Sequence, residues 1–348
     1  MTDQPLRYAV AGLGRAGWMI HVEQLRPRPD ARIVGVLEPV ADRRDEAVAE
    51  FGCRAYDTFD ELIGDEDVDV VVVATPSLNH AAECIRAMRA GRHVVVEKPM
   101  AMNLAEADAM IAAAAETGRE LFINQSRRYR PMFTYFRETI ESGRIGELFH
   151  VRVFSAGTFI RRLDWQTLRS RGGGLLNNTG SHMLDISMQL VGSPIVRALG
   201  SMRHLASAGD AEDHVKALLV AAGGATIDLE ISMCEALGEA RLPVWTLCGT
   251  CGTLTCDEQT ATVRWFDPAA AEAIEAIDGA APDRQYGTTD KLPWREVTEP
   301  AEGTPPPSLY ENVHDVLRHG GEKLVDPQSI REMIRVMAMI REGTDFPA

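Results

Sequence analysis

A G-x-G-x-x-G run, Gly12-Leu13-Gly14-Arg15-Ala16-Gly17, stands between a short apolar stretch at 7–11 and a helical pattern opening near Gly17, and few folds accommodate it. Glycines at this spacing let a strand turn directly into a helix. Gly12 permits the tight turn, Gly14 lets backbone approach a bound group, and Gly17 lets helix and strand pack closely. The helix start beyond the turn presents N–H groups without intrahelical partners and a partial positive charge, which together suit an anion such as a pyrophosphate. Gly12, Leu13, Gly14, Arg15, Ala16 and Gly17 are therefore candidate dinucleotide contacts.

The next hundred residues fit the same reading. Apolar runs at 31–38, 67–75, 93–97 and 120–124 are separated by helical patterns at 40–51, 78–90 and 103–117. Continuous Val/Ile runs suit strands buried on both faces, and strand–helix alternation predicts a doubly wound parallel sheet. This α/β unit is expected over residues 1–125. The rhythm then changes. A helix is expected at 131–142, a long strand at 148–160, a Gly-rich segment at 171–174 and a helix from about Thr179 to Val191. Consecutive strand patterns at 195–205, 214–221, 225–234, 243–249 and 252–256 read as antiparallel. Residues 267–307 read mostly as a long loop, and helices at 308–319 and 328–342 close the chain. Residues 126–348 form the expected second domain, with the final helix able to pack back on the first.

Composition removes several classes of function. The 348 residues include 45% hydrophobic and 25% charged, ordinary globular proportions that support a sizeable core. A net charge of -15 disfavours nucleic acid and anionic membrane partners. The N-terminus lacks a secretory pattern and no apolar run reaches transmembrane length, so a reducing cytoplasm is expected. Cys248-x-x-Cys251, with Cys256 nearby, lacks the second pair or paired histidines that a four-ligand zinc site needs. These read as small core residues, and no metal is assigned. The acids at 57–69 read as a solvated helix and loop.

Candidate site residues collect at strand ends, where ligands bind in doubly wound sheets. Glu38, 21 residues after Gly17, ends the second strand and can accept ribose hydroxyls while repelling a 2′-phosphate, which favours NAD over NADP. Arg43 and Arg44, one helical turn later, weaken that preference if they turn toward it. Thr75 and Pro76 end the third strand and can line the cofactor cleft. His80 opens the next helix, facing either the cleft or its own helix terminus. Glu97-Lys98-Pro99 ends the fourth strand and places Lys98 at the same edge, where partial burial lowers a lysine pKa toward use in proton transfer. Asn178, His182 and Asp185 share one helical face just after three glycines. His182 is a candidate acid/base, and Asp185 reads as a brace.

These residues together resemble one family. GLGRAG (12–17), Glu38, ATP (74–76), EKP (97–99), NQSRRYRP (124–131) and GGGLLNNTGSH (172–182) are similar to the Gfo/Idh/MocA oxidoreductases over nearly the whole chain. The resemblance implies a Rossmann domain followed by an α/β domain with a large, open, mostly antiparallel sheet that joins homodimers or homotetramers. It implies oxidation of a hydroxyl on a sugar, inositol or related polyol, or the reverse reduction, with Lys98 and His182 catalytic. Asn178 falls where the family carries an aspartate, a departure that leaves His182 without a carboxylate partner and shifts proton transfer toward Lys98. Tyr129 and Arg130 after the domain junction, and Trp165 and Gln166 before the glycines, face either a substrate or the protein's own core and surface. Substrate contacts are expected from Lys98, Tyr129, Trp165, Asn178 and His182, and cofactor contacts additionally from Glu97 and Lys98. Two other functions stay open at this point: a non-catalytic sensor that binds dinucleotide and sugar, and an enzyme that uses tightly held NAD for a transient oxidation.

Overall fold

The computed structural model describes residues 4–156, 158–237, 242–271, 273–276, 278–280 and 292–347. Its first sheet contains β1 (Leu6–Ala11), β2 (Ala31–Leu37), β3 (Arg54–Tyr56), β4 (Val70–Val73), β5 (His93–Glu97) and β6 (Leu121–Asn124), in the order β3-β2-β1-β4-β5-β6. Every pairing is parallel. All four valines of β4 have no exposed surface, because helices cover both faces of the sheet. Strand order reverses between β1 and β4, which opens a crevice at their carboxyl ends. The glycine turn, Ala74-Thr75 and the end of β5 all meet there.

The second sheet contains β7 (Leu148–Ser155), β8 (Ile195–Arg203), β9 (His214–Ala221), β10 (Thr226–Ser232), β11 (Trp245–Gly249), β12 (Gly252–Cys256), β13 (Thr260–Trp265) and β14 (Arg295–Pro300). Its order is β14-β13-β12-β11-β7-β10-β9-β8. All pairings are antiparallel except that of β7 with β10. One face is buried and the other is open, which gives the strands their alternating pattern. On the covered face Trp245 is fully buried and lies 5.7 Å, ring to ring, from Phe136 of helix Pro131–Glu141.

Several boundaries differ from the sequence reading. The long strand ends at Ser155 rather than 160, and Phe159 makes only an isolated bridge to Cys234. The 267–307 segment contains a short helix, Pro268–Ala270, and the edge strand β14. Residues 272, 277 and 281–291 of that expected loop lie outside the described residues. β14 reads REVTEP, and its charges and terminal proline are the devices by which edge strands avoid further pairing, so it carries no apolar strand signal. β3 and β13 also lie outside the expected strands.

The last two helices tie the two sheets together. Leu309, Tyr310 and Val313 of helix Leu309–His319 join the core formed by Leu6, Tyr8, Val22 and Leu25 beside the first sheet. Helix Pro327–Arg341 packs on β8, on helix Leu104–Thr117 and on helix Ser181–Val191. Among the described residues, no helix is long and apolar enough to cross a membrane.

Candidate active site

The glycine turn has the form its spacing implies. Gly12 has φ +90°, and a Cβ there would lie 2.6 Å from the Ala74 carbonyl oxygen. A Cβ on Gly17 would overlap the Gly12 carbonyl oxygen, whereas Gly14 has nothing within 4 Å of that position. The turn is thus closed against β4 and open outward, a cradle that fits a pyrophosphate. The helix behind it starts with a π-helical turn, Gly17–Val22, a distortion often found at functional sites.

Glu38 is buried at the end of β2 and receives two backbone donors: Leu13 N–H to Oε2 at 2.6 Å and Val40 N–H to Oε1 at 3.0 Å. Its carboxylate therefore braces the glycine turn itself. Arg43 Nη1 lies 3.9 Å from Glu38 Oε1, and Arg43 borders the same hollow as Leu13, Gly14, Arg15 and Trp18. Thr75 Oγ1 donates to Glu83 Oε2 at 2.5 Å, and Pro76 leads into a short helix at Ser77–Asn79. His80 is 1% exposed; its Nδ1 lies 2.8 Å from the Pro99 carbonyl oxygen and its Nε2 3.0 Å from that of Thr75. It thereby ties the turn after β4 to the Lys98–Pro99 turn, whose peptide bond is cis.

Glu97 points inward. His21 Nε2 lies 3.0 Å and Asn124 Nδ2 2.6 Å from its Oε1, and the Lys98 N–H donates to Oε2 at 3.1 Å. His21 Nδ1 is in turn 2.7 Å from the Tyr310 hydroxyl. Although burial opposes the charge, the hydrogen bonds from His21 and Asn124 and the nearby Lys98 hold the Glu97 carboxyl down to about 2. A fixed anion thus sits directly behind Lys98.

Lys98 reaches across to the turn that follows the Gly-rich segment. Its Nζ is 2.8 Å from Asn178 Oδ1 and 3.3 Å from the Asn178 carbonyl oxygen. Burial lowers its pKa, aided by Arg162, Arg15 and Arg127, while Glu97 opposes the shift. Asn178 lies in a second π-helical turn, Leu176–Gly180, that opens helix Ser181–Val191. Its amide is oriented: Nδ2 donates to Gln166 Oε1 at 3.1 Å, and Arg162 donates to that same oxygen. His182 stands one turn on, with Nδ1 buried and unpartnered. Burial and then the positive charges of Lys98 and Arg127 hold its pKa down to about 3, so the ring is neutral.

The remaining sequence candidates separate. Tyr129 is half-buried and packs against both hydrophobic cores; Arg130 is exposed. Trp165 is 47% exposed, whereas its neighbour Gln166 contacts Asn178. Asp185 is 1% exposed and bonds Arg128 through two contacts of 2.8 and 2.5 Å. Sequence reasoning did not single out His21, Tyr310 or Arg162, and it took Asn124 only as part of the NQSRRYRP stretch. These come from separate segments and show no shared spacing.

Comparison with known proteins matches two successive stretches of the chain. The model of an oxidoreductase family with an NAD-binding Rossmann fold matches residues 6–125, and the GFO/IDH/MocA C-terminal domain matches 133–255. The chain belongs to the GFO/IDH/MocA family. A myo-inositol 2-dehydrogenase of Thermotoga maritima is 33% identical over 224 residues, 63% of this chain and 66% of the relative. An inositol 2-dehydrogenase of Rhizobium meliloti is 29% identical over 223 residues, again 63% of this chain and 66% of the relative. The match thus spans just under two thirds of the length of each. Among solved structures, an NAD-binding protein from Listeria innocua is 26% identical with a TM-score of 0.83, covering 98% of both chains. The WlbA dehydrogenase of Bordetella pertussis, solved with NADH and UDP-GlcNAcA, shares the fold at 24% identity and a TM-score of 0.75, again over 98% of both chains.

Proposed function

We propose that this family member is an NAD-dependent dehydrogenase or reductase acting on a carbon-bound hydroxyl of a sugar, inositol or related polyol, with Lys98 moving the proton. The observation that carries this reading is Lys98 Nζ held at 2.8 Å by Asn178 Oδ1 at the carboxyl edge of the first sheet. A neutral amine has two N–H bonds and one lone pair. The Asn178 side-chain and backbone oxygens take the two N–H bonds, which leaves the lone pair for a substrate hydroxyl proton. Burial makes that neutral form accessible, and the fixed Glu97 carboxylate stabilises the ammonium that results. In the reverse direction the ammonium returns the proton. When bound, the nicotinamide supplies the hydride acceptor or donor.

His182, neutral and one turn from Asn178, is a hydrogen-bonding partner for the substrate rather than a strong base. Gly12, Gly14 and Gly17 fit the pyrophosphate, and Glu38 at the end of β2 disfavours a 2′-phosphate, which supports NAD over NADP. Leu199 and Leu218, paired across β8 and β9 and 74% and 48% exposed, support self-association through the open sheet face. Six free cysteines support a reducing cytoplasm. The test is Lys98→Ala assayed with NAD across a polyol panel. We expect turnover to fall at least about 100-fold while dinucleotide affinity stays within a few-fold. Unchanged turnover would remove Lys98 from the mechanism.

A further inference from the structure

The whole chain is acidic, with a net charge of -15, yet the cleft around Lys98 is lined by cations. Arg162 borders the cavity that also contains Gln166 and Asn178. Arg162, Arg15 and Arg127 all bear electrostatically on Lys98, and Arg127 and Arg130 on His182. Arg15 stands on the glycine turn, beside the proposed pyrophosphate site. Arg162 stands with Lys98 on the substrate side through Gln166 and Asn178, and the charges of Arg127 and Arg130 are felt at His182.

Most of the carboxylates nearby are already engaged by the protein. Both Glu97 oxygens are taken by His21, Asn124 and the Lys98 N–H. Glu258 is paired with Arg127, and Asp164 with Arg162. Asp213 accepts three backbone N–H bonds, from Leu205, Ala206 and Ser207, at 2.7 to 2.8 Å. Glu212 lines the same cavity as Arg162 and accepts the Leu176 N–H at 3.1 Å through Oε1 alone, but burial pushes its carboxyl pKa up and so disfavours its charge there. Among the described residues, Arg130 has no carboxylate within ion-pair distance, and Arg127 and Arg162 each use only part of their fork. A site built to read the hydroxyls of a neutral sugar needs free acceptors. Here the acceptors left free are the Lys98 lone pair and His182 Nδ1, and around them stand guanidinium donors that are positive.

We infer that the substrate of this site is anionic: a sugar or polyol bearing a carboxylate or phosphoryl group, read by the guanidinium groups of Arg162, Arg127 and Arg130 while its hydroxyl faces Lys98. A planar guanidinium matches two oxygens of either group at once, and charge-assisted bonds of this kind are the strong ones. Asp164 is 47% exposed at its side chain, so an incoming oxyanion can replace it on Arg162 at small cost. The inference rests on the functional reading above and narrows its substrate class.

The test uses the full chain saturated with NAD, titrated by calorimetry with glucuronate, glucose 6-phosphate, glucose and myo-inositol. We expect glucuronate or glucose 6-phosphate to bind at least about tenfold more tightly than glucose or myo-inositol, with the gap closing as salt rises. Which of the two acids wins identifies the group. Arg162→Gln and, separately, Arg130→Gln should each lower the ratio of acid to glucose affinity at least about tenfold, and Arg130→Gln, outside the Gln166–Asn178 contacts, should leave glucose itself within about twofold. Arg162→Lys, which keeps the charge without the fork, should recover part of the loss. Equal binding of acid and parent, an unchanged ratio in both glutamine variants, or no sugar binding to an NAD-saturated protein overturns the inference. The first two of these leave the dehydrogenase reading intact. Absence of dinucleotide binding overturns that reading and the inference with it.

Discussion

An amide at position 178 decides what Lys98 can do. A carboxylate there would hold the lysine as an ammonium; the neutral Asn178 oxygen at 2.8 Å accepts its N–H without demanding a charge. In Asn178→Asp we therefore expect the rising limb of kcat/KM for oxidation to move to higher pH by about one unit or more. A pH profile with the limb unmoved would show that Lys98 is not the titrating base. His182 gives a separate prediction. Folded, its pKa is down to about 3; unfolded, it takes up a proton near the ordinary 6.5. Between those values the unfolded chain binds more protons, so stability is lost as pH falls from 6.5. His182→Gln should shrink the stability difference between about pH 7 and pH 5 by about 2 kcal/mol, read by urea unfolding of both proteins. An equal loss in both would place the acid sensitivity elsewhere. At this scale Gly12, Glu38, Lys98 and His182 were legible as candidates, because each sits at a recognisable strand or helix end. The sequence did not show Gln166 as the residue that orients the Asn178 amide, since the contact joins two short helical turns that share no periodic signal.

The elements that carry the site are distorted where they meet it. Both helices entering the cleft open with π-helical turns, Gly17–Val22 and Leu176–Gly180. The first of these begins at a junction with no room for a side chain, because the Gly17 Cβ position overlaps a carbonyl oxygen rather than a movable side chain. Gly17→Ala must shift the turn. Dinucleotide affinity should fall at least about tenfold and thermal stability should drop, while Gly14→Ala, with open space around it, should fold normally and lose affinity only. Equal folding and equal affinity in Gly17→Ala would mean that the turn relaxes freely. The buried strands β1, β2, β4, β5 and β6 were legible as apolar runs because a parallel sheet buries both faces. β13 and β14 were not. Among the described residues β14 pairs along one edge, with β13, and it exposes most of its residues, so backbone hydrogen bonding holds it rather than an apolar pattern.

Across the whole molecule, division of the chain by sequence position and division by packing differ. Residues 1–125 contain the first sheet, yet its core is completed by Tyr310, from a helix that comes after every strand of the second sheet. Tyr310 is 1% exposed, stands edge-on to Tyr8 of β1 at 5.5 Å between ring centroids, and bonds His21. His21 in turn bonds Glu97 at 3.0 Å, so the ring supports both the sheet and the anion behind Lys98. Replacing a buried aromatic ring by a methyl costs about 3–5 kcal/mol. If the last third of the chain stabilises the first sheet in this way, Tyr310→Ala will lower the hydrogen-exchange protection of β1 and β2 amides by about 3 kcal/mol or more. The outer strands β12 to β14, at the opposite end of the second sheet, will keep theirs. Tyr310→Phe retains the ring and removes only the hydroxyl, so it should cost about 1 kcal/mol and act mainly on the His21–Glu97 pair. Protection lost only within helix Leu309–His319, with β1 unchanged, would show that the first sheet stands without it and that residues 1–125 are a self-sufficient domain.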